Sequence, residues 1–231
     1  MAGPGANAET EFEVKPIRAL TLKSQIAHQL RTAILQGRLG PGTRVVESRL
    51  AKQLGVAQTT VREAILELEN QGLFIKYVNR ETRVRKLTIA DLSDLFRVRV
   101  QLEGLAVEIG HANANETTLA PLYQTVEEMR RSARREEISE FYRFDIEVHR
   151  QLWCLAQNGF LEKSLAPLLV GPIAFVLAGV PAPIVSNYVQ VAEDHAQILD
   201  VLRRESAADA RRLMQSKLTD WHELQMQTLT K

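Results

Sequence analysis

The sequence predicts a mainly α-helical chain in two units: three helices with a small β-hairpin, then an all-α antiparallel bundle. Three observations carry this. After Leu87 the strand signal stops, and apolar residues return at helical spacing in six successive stretches. Before Leu87, helices separated by a glycine turn lead into two short β-type runs. The charge divides at the same place. Residues 1–86 hold fourteen Lys and Arg against eight Asp and Glu, and residues 87–231 hold fifteen against twenty. A basic first third on an acidic remainder points the first unit, and not the second, at a polyanion.

The 231 residues are 45% hydrophobic and 25% charged, the mix of a soluble globular protein. This excludes a wholly disordered chain, a collagen-like fibre and a membrane protein. The longest apolar stretch, Leu165 to Val180, is too short to span a bilayer and is broken by Pro167 and Pro172. The N-terminus lacks a basic stretch followed by an apolar core, so no signal peptide is expected and the chain reads as cytoplasmic. Cys154 stands alone, which excludes an internal disulfide and a cysteine-based zinc site.

Residues 1–16, with Gly3, Pro4 and Gly5 among small and acidic residues, are expected to form a disordered arm. A first helix follows over 17–36 on Leu22, Ile26, Leu30 and Ile34, ending at Gly37. Leu39 to Gly42 reads as a turn. A second helix over 47–54 closes at Gly55. A third opens at Gln58 or Thr59 and runs to about Gln71, closed by Gly72. Residues 73–77 and 82–85 then make a hairpin around the polar 78–81. This is the outline of a winged helix-turn-helix over 17–86. Leu50, Ala51 and Leu54 face Val61, Ile65 and Leu68 and fix the angle between two helices. Thr59, Thr60 and Arg62 project from the first turn of the third, where they can meet phosphates and base edges. Arg80 and Arg83 on the hairpin are placed to reach the neighbouring groove. The rival for this unit is a protein-interaction domain whose arginines only solvate its surface.

The second unit, 88–231, opens at Thr88-Ile89-Ala90-Asp91, an N-cap and first turn. Its helices are expected at 88–113, 117–135, 137–157, 160–178, 184–204 and 206–229, an antiparallel bundle. Several apolar stripes carry a polar residue. The stripe Leu92, Phe96, Arg99, Leu102, Ala106, Ile109 contains an arginine. Asp145 and His149 stand four apart on the third helix of this unit. His195 lies on the stripe of the fifth and Lys217 on that of the sixth, ahead of Trp221. Isolated buried charge is costly, so these groups must pair, ligate or line a wet cavity. Asp145, His149 and His195 make a plausible ligand set for a divalent ion. Singly, each has a plainer reading as a hydrogen-bonded core histidine, a local helix pair or a snorkelling cation.

The run from Ile34 through Gly37-Arg38-Leu39-Gly40-Pro41-Gly42-Thr43-Arg44-Val45-Val46-Glu47, with Leu50-Ala51-Lys52-Gln53-Leu54-Gly55-Val56 and Thr59-Thr60-Val61-Arg62-Glu63-Ala64-Ile65, closely resembles the GntR family of bacterial transcriptional regulators. The resemblance covers about Leu22 to Val84. It implies a homodimer reading a pseudo-palindromic operator, with DNA contacts expected from Arg44, Arg49, Gln58, Thr59, Thr60, Arg62, Asn79 and Arg80. Two departures stand out. Ala57-Gln58 replaces the family's usual Ser-Arg, and Glu81 replaces the wing's usual glycine.

The second unit resembles, more loosely, the FCD ligand-binding domain of the FadR subfamily over Ile89 to about Gln225. In many members an Asp-x-x-x-His pair and two later histidines hold a metal that a small carboxylate effector joins. Asp145, His149 and His195 fall on the first three positions, and the fourth is Lys217. Two arrangements are open. In one, the three residues bind a divalent ion, with zinc or nickel expected, and Lys217 helps hold an anion. In the other, no metal binds and Lys217 supplies the charge itself, pairing with Asp145 or an effector carboxylate. Arg99 suits a carboxylate effector in both. His222, five residues past Lys217, is poorly placed to replace it. The expected function is an operator-binding repressor controlled by a small carboxylate, not an enzyme. The alternatives are a metal-dependent hydrolase and a metal-free regulator binding an acyl thioester.

Overall fold

The computed structural model describes residues 21–77, 81–179 and 187–229. The expected arm over 1–16 lies outside them, as do Asn79 and Arg80. Helix α1 (Leu22–Leu35) is capped by Thr21, whose hydroxyl accepts from Ser24 N, and buries Ile26, Leu30 and Ile34. Helix α2 (Glu47–Leu54) ends at Gly55 in the left-handed conformation, and α3 (Gln58–Asn70) follows after two residues more. Ala51, Val61, Ile65 and Leu68 are buried between these helices.

The expected hairpin is present as β2 (Phe74–Lys76) and β3 (Thr82–Val84), but the sheet has a third strand. β1 (Arg44–Val45) pairs antiparallel with β3, Arg44 opposite Arg83 and Val45 opposite Thr82, giving the order β1-β3-β2. Two residues are too short a run for alternation to register in the sequence. The pairing comes from the chain doubling back past Gly42, whose N–H donates to Val84 O while Val84 N–H donates to Thr43 O.

The bundle contains α4 (Ile89–Gly110, extended by a 3₁₀ turn to Asn113), α5 (Glu116–Arg134), α6 (Ile138–Leu155), α7 (Gly159–Gly179), α8 (Tyr188–Arg204) and α9 (Ala207–Leu229). Thr88 with Asp91 and Asn115 with Thr118 form capping boxes at the starts of α4 and α5. α4 lies along α9 and against α6 and α7, while α5 packs on α6 and α8. The expected stripe is buried at Leu92 and Ala106 and half-buried at Phe96, Arg99 and Leu102, and departs at its C-terminal end. Ile109 is 38% exposed, whereas Glu103, Val107 and Gly110 are buried.

The halves meet directly. α1 and α3 touch α7, and the apolar core runs through both. At the junction two backbones approach without side chains between them. Gly72 has φ +74°, and a Cβ there would fall 2.8 Å from Pro167 O; a Cβ on Gly171 would fall 3.1 Å from Gly72 O.

Candidate functional site

Two surfaces carry the chemistry that the sequence singled out. The first is a cleft of about 550 Å³ between the start of α3, α2 and the wing, lined by Arg44, Glu47, Gln58, Arg62, Lys76 and Glu81 among others. Gln58, Thr59, Arg62, Arg44 and Arg49 are exposed and Thr60 is half-buried. Ala57 offers no side chain to cap α3, so the positive end of that helix faces out. The arginines are tethered. Arg62 Nε donates to Glu47 Oε2 at 3.0 Å, with Gln58 Nε2 3.4 Å from the same oxygen. Glu81 holds Arg44 at 3.0 Å and Arg83 at 2.9 Å, and Arg83 also donates to Gly42 O. Arg83 is thereby fixed to the wing's own backbone. Lys76 belongs to this cleft and was missed, because a single lysine ending a strand gives no signal of its own.

The second surface lies inside the bundle. α6 places Asp145 and His149 on one buried face, and α8 places His195 opposite. His195 Nε2 lies 3.4 Å from Asp145 Oδ1 and 3.4 Å from His149 Nε2, while His149 Nε2 and Asp145 Oδ1 are 4.0 Å apart. The other ring nitrogens fix the tautomers. His195 Nδ1–H donates to Val191 O at 2.7 Å, and His149 Nδ1–H donates to Glu103 Oε2 at 2.5 Å. Both Nε2 atoms are therefore left with a lone pair, that of His195 nearest Asp145 and that of His149 nearest Arg99. Burial, above all, pushes the His195 imidazole down to about 4, so it is neutral at physiological pH.

This donor set fits a divalent ion. Ligand atoms at about 2.1 Å from a tetrahedral ion stand about 3.4 Å from one another, which two of the three separations match. A carboxylate behind a ligating histidine, here Glu103, fixes ring orientation in such sites. Arg99 is the competing group. Its NH2 lies 3.1 Å from His149 Nε2, while its Nε donates to Glu103 Oε1 at 2.5 Å. A metal on His149 requires that guanidinium to turn aside, which would leave it next to the ion.

Glu103 was missed, although it stands four residues after Arg99. It has no exposed surface and accepts from His149, Arg99 and Trp153 Nε1. Burial alone would raise its carboxyl, but the interactions with His149 and Arg99 outweigh that and hold it at about 2. Of the partners that the sequence left open for Lys217, Asp145 is not the one it finds. The lysine pairs neither with Asp145 nor with the ligand set, but donates to Asp194 Oδ1 at 2.8 Å. Asp194, beside His195, faces α9 and also accepts from Gln190 and from Trp221 Nε1. A lysine on the α9 stripe implies such an acid on the facing helix. Trp221 stacks on the His195 ring at 4.7 Å, and His222 stacks on Phe96 away from the cluster.

The profile of the gntR family of bacterial regulatory proteins matches residues 22–84, and the FCD domain profile matches residues 94–220. The chain belongs to the GntR family and carries an FCD domain. Among GntR relatives, the chain is 31% identical over 188 residues to a Paenarthrobacter nicotinovorans protein named "Probable D-xylose utilization operon transcriptional repressor", covering 81% of each. It is 32% identical over 142 residues to the Bacillus subtilis HTH-type transcriptional regulator YdhC, covering 61% of this chain and 63% of that one. The fold matches Escherichia coli McbR/YncC with TM-score 0.74 at 21% identity, over 91% of this chain and all of that one. As a GntR-family member the chain is a DNA-binding transcriptional regulator and not an enzyme, which sets aside the hydrolase alternative. Among the described residues no helix is long and apolar enough to cross a membrane.

Proposed function

We propose that this chain is a cytoplasmic, homodimeric repressor of the FadR subfamily, with a DNA-binding unit over 17–86 and an effector unit over 88–231. Its operator affinity is set by a small carboxylate bound at Asp145, His149 and His195. The observation that carries the reading is the buried set of three donors with both histidine tautomers fixed for ligation. These three residues would hold a divalent ion, zinc or nickel, which would supply Lewis-acid charge for a carboxylate oxygen. Arg99 grips the effector's carboxylate, and Lys217 fixes Asp194 and Trp221 around the histidines. Homodimerisation is supported by α4, which exposes Val98, Leu105 and Ile109 at i, i+7 and i+11 on one face. Two copies present α3 to successive major grooves, Gln58, Thr59, Thr60 and Arg62 reading bases while Arg44, Arg49, Asn79 and Arg80 meet the backbone or the adjoining groove.

Metal content of untagged protein purified without chelator tests the site. Near one ion per chain, lost in His149→Ala, is the expected result. No ion after soaking with zinc and nickel overturns the metal and leaves the anion to Arg99. Selection from random duplex DNA tests the other end. A two-fold symmetric site should emerge, and Arg62→Ala should bind it about tenfold to a hundredfold more weakly with dimer and circular dichroism unchanged. Unchanged affinity removes Arg62 from base reading.

A further inference from the structure

Behind the cluster, where the halves meet, lies a cavity of about 330 Å³ bounded by α1, the end of α3, α6 and the start of α7. Leu35, Ile146, Trp153 and Val170 give it an apolar floor. Four cations, Arg31, Arg143, Arg150 and Lys163, ring it against two carboxylates, Glu147 and Glu162. Two of the cations are engaged. Arg31 Nε donates to Gln71 Oε1 at 3.0 Å near Glu67, and Arg143 pairs with Glu140 at 2.8 Å. Among the described residues, Arg150 and Lys163 form no ion pair. The guanidinium of Arg31 is held below its usual value by burial and by the charge of Arg150, against the opposing pull of Glu67. The cavity thus joins an apolar floor to two cations that no ion pair holds.

We propose that this junction is a second ligand site, separate from Asp145, His149 and His195, for a small organic anion with an apolar body, a medium-chain carboxylate being the class that fits. Its size lies at the lower end of small-ligand pockets. The apolar body covers Trp153 and Val170, and the carboxylate relieves the repulsion between Arg31 and Arg150. The wall belongs to both halves, so an occupant bridges the DNA-binding unit and the bundle. Trp153 joins the two sites, lining the cavity while its indole N–H donates to Glu103 Oε2 at 3.2 Å, the carboxylate that holds His149. Ligands at the two places therefore affect each other's affinity by equal factors.

Calorimetric titration of the full chain with octanoate, in chelator, tests this, with octan-1-ol as the uncharged control. Saturable octanoate binding is expected, with octanol roughly tenfold weaker or more. The double change Arg150→Glu, Lys163→Glu should weaken octanoate by a similar factor. Both side chains are exposed, and circular dichroism checks that the fold is kept. The proposal is overturned by absent saturable heat, by equal binding of octanol, or by unchanged affinity in the double variant, which leaves octanoate to the cluster.

Discussion

Glu103 has no exposed surface and three donors, and it sets both the tautomer of His149 and the position of Arg99. Its charge is kept because its partners outweigh its burial. Its folded value, about 2, lies below the unfolded one near 4.5, so its stabilisation is present above pH 4.5 and is lost as pH falls towards 2. His195 adds an earlier step. Its folded value, about 4, lies below an unfolded value near 6.5, so protons favour the unfolded chain and stability falls between those limits. Metal-free protein should lose about 2 kcal/mol between pH 7 and pH 4.5 in urea unfolding, and His195→Leu should flatten that limb. An equally steep limb in the variant assigns the loss elsewhere. Asp145, His149 and His195 were legible because they interrupt apolar stripes. Glu103 and Asp194 were not, because each sits at the flank of a stripe, where an acidic residue reads as solvated surface.

The helices of the bundle were legible as elements because periodicity, caps and punctuation agree. α4 starts at the Thr88 cap and α7 runs through Pro167 and Pro172 as one helix, close to the expected bounds. What escaped was β1, whose two residues exist only through their partner strand, and the exposure of Ile109 at the end of α4. The wing has a testable peculiarity. Glu81 engages Arg44 and Arg83 together. Glu81→Gln should free Arg44 for phosphate and tighten binding to random DNA roughly threefold to tenfold at low salt. The slope of log affinity against log salt should steepen by about one in a filter-binding series. An unchanged slope means that Arg44 stays off the backbone.

On the scale of the molecule, the basic third of the sequence contains α1 to α3 and the three strands, and the acidic remainder contains α4 to α9. The junction was not legible, because a glycine after a helix signals only a turn and says nothing about what lies across from it. Gly72→Ala should cost about 1–3 kcal/mol, through its positive φ and the approach to Pro167 O, and lower the calorimetric midpoint by several degrees. An unchanged midpoint would mean that the halves separate readily. Ordinary interfaces between helices are cushioned, since side chains can hop rotamer and absorb a neighbour's displacement. Gly72 and Gly171 leave no such padding where α3 meets α7. A slip of α7 by a fraction of an ångström at this point must be taken up by the backbone at the tail of α3.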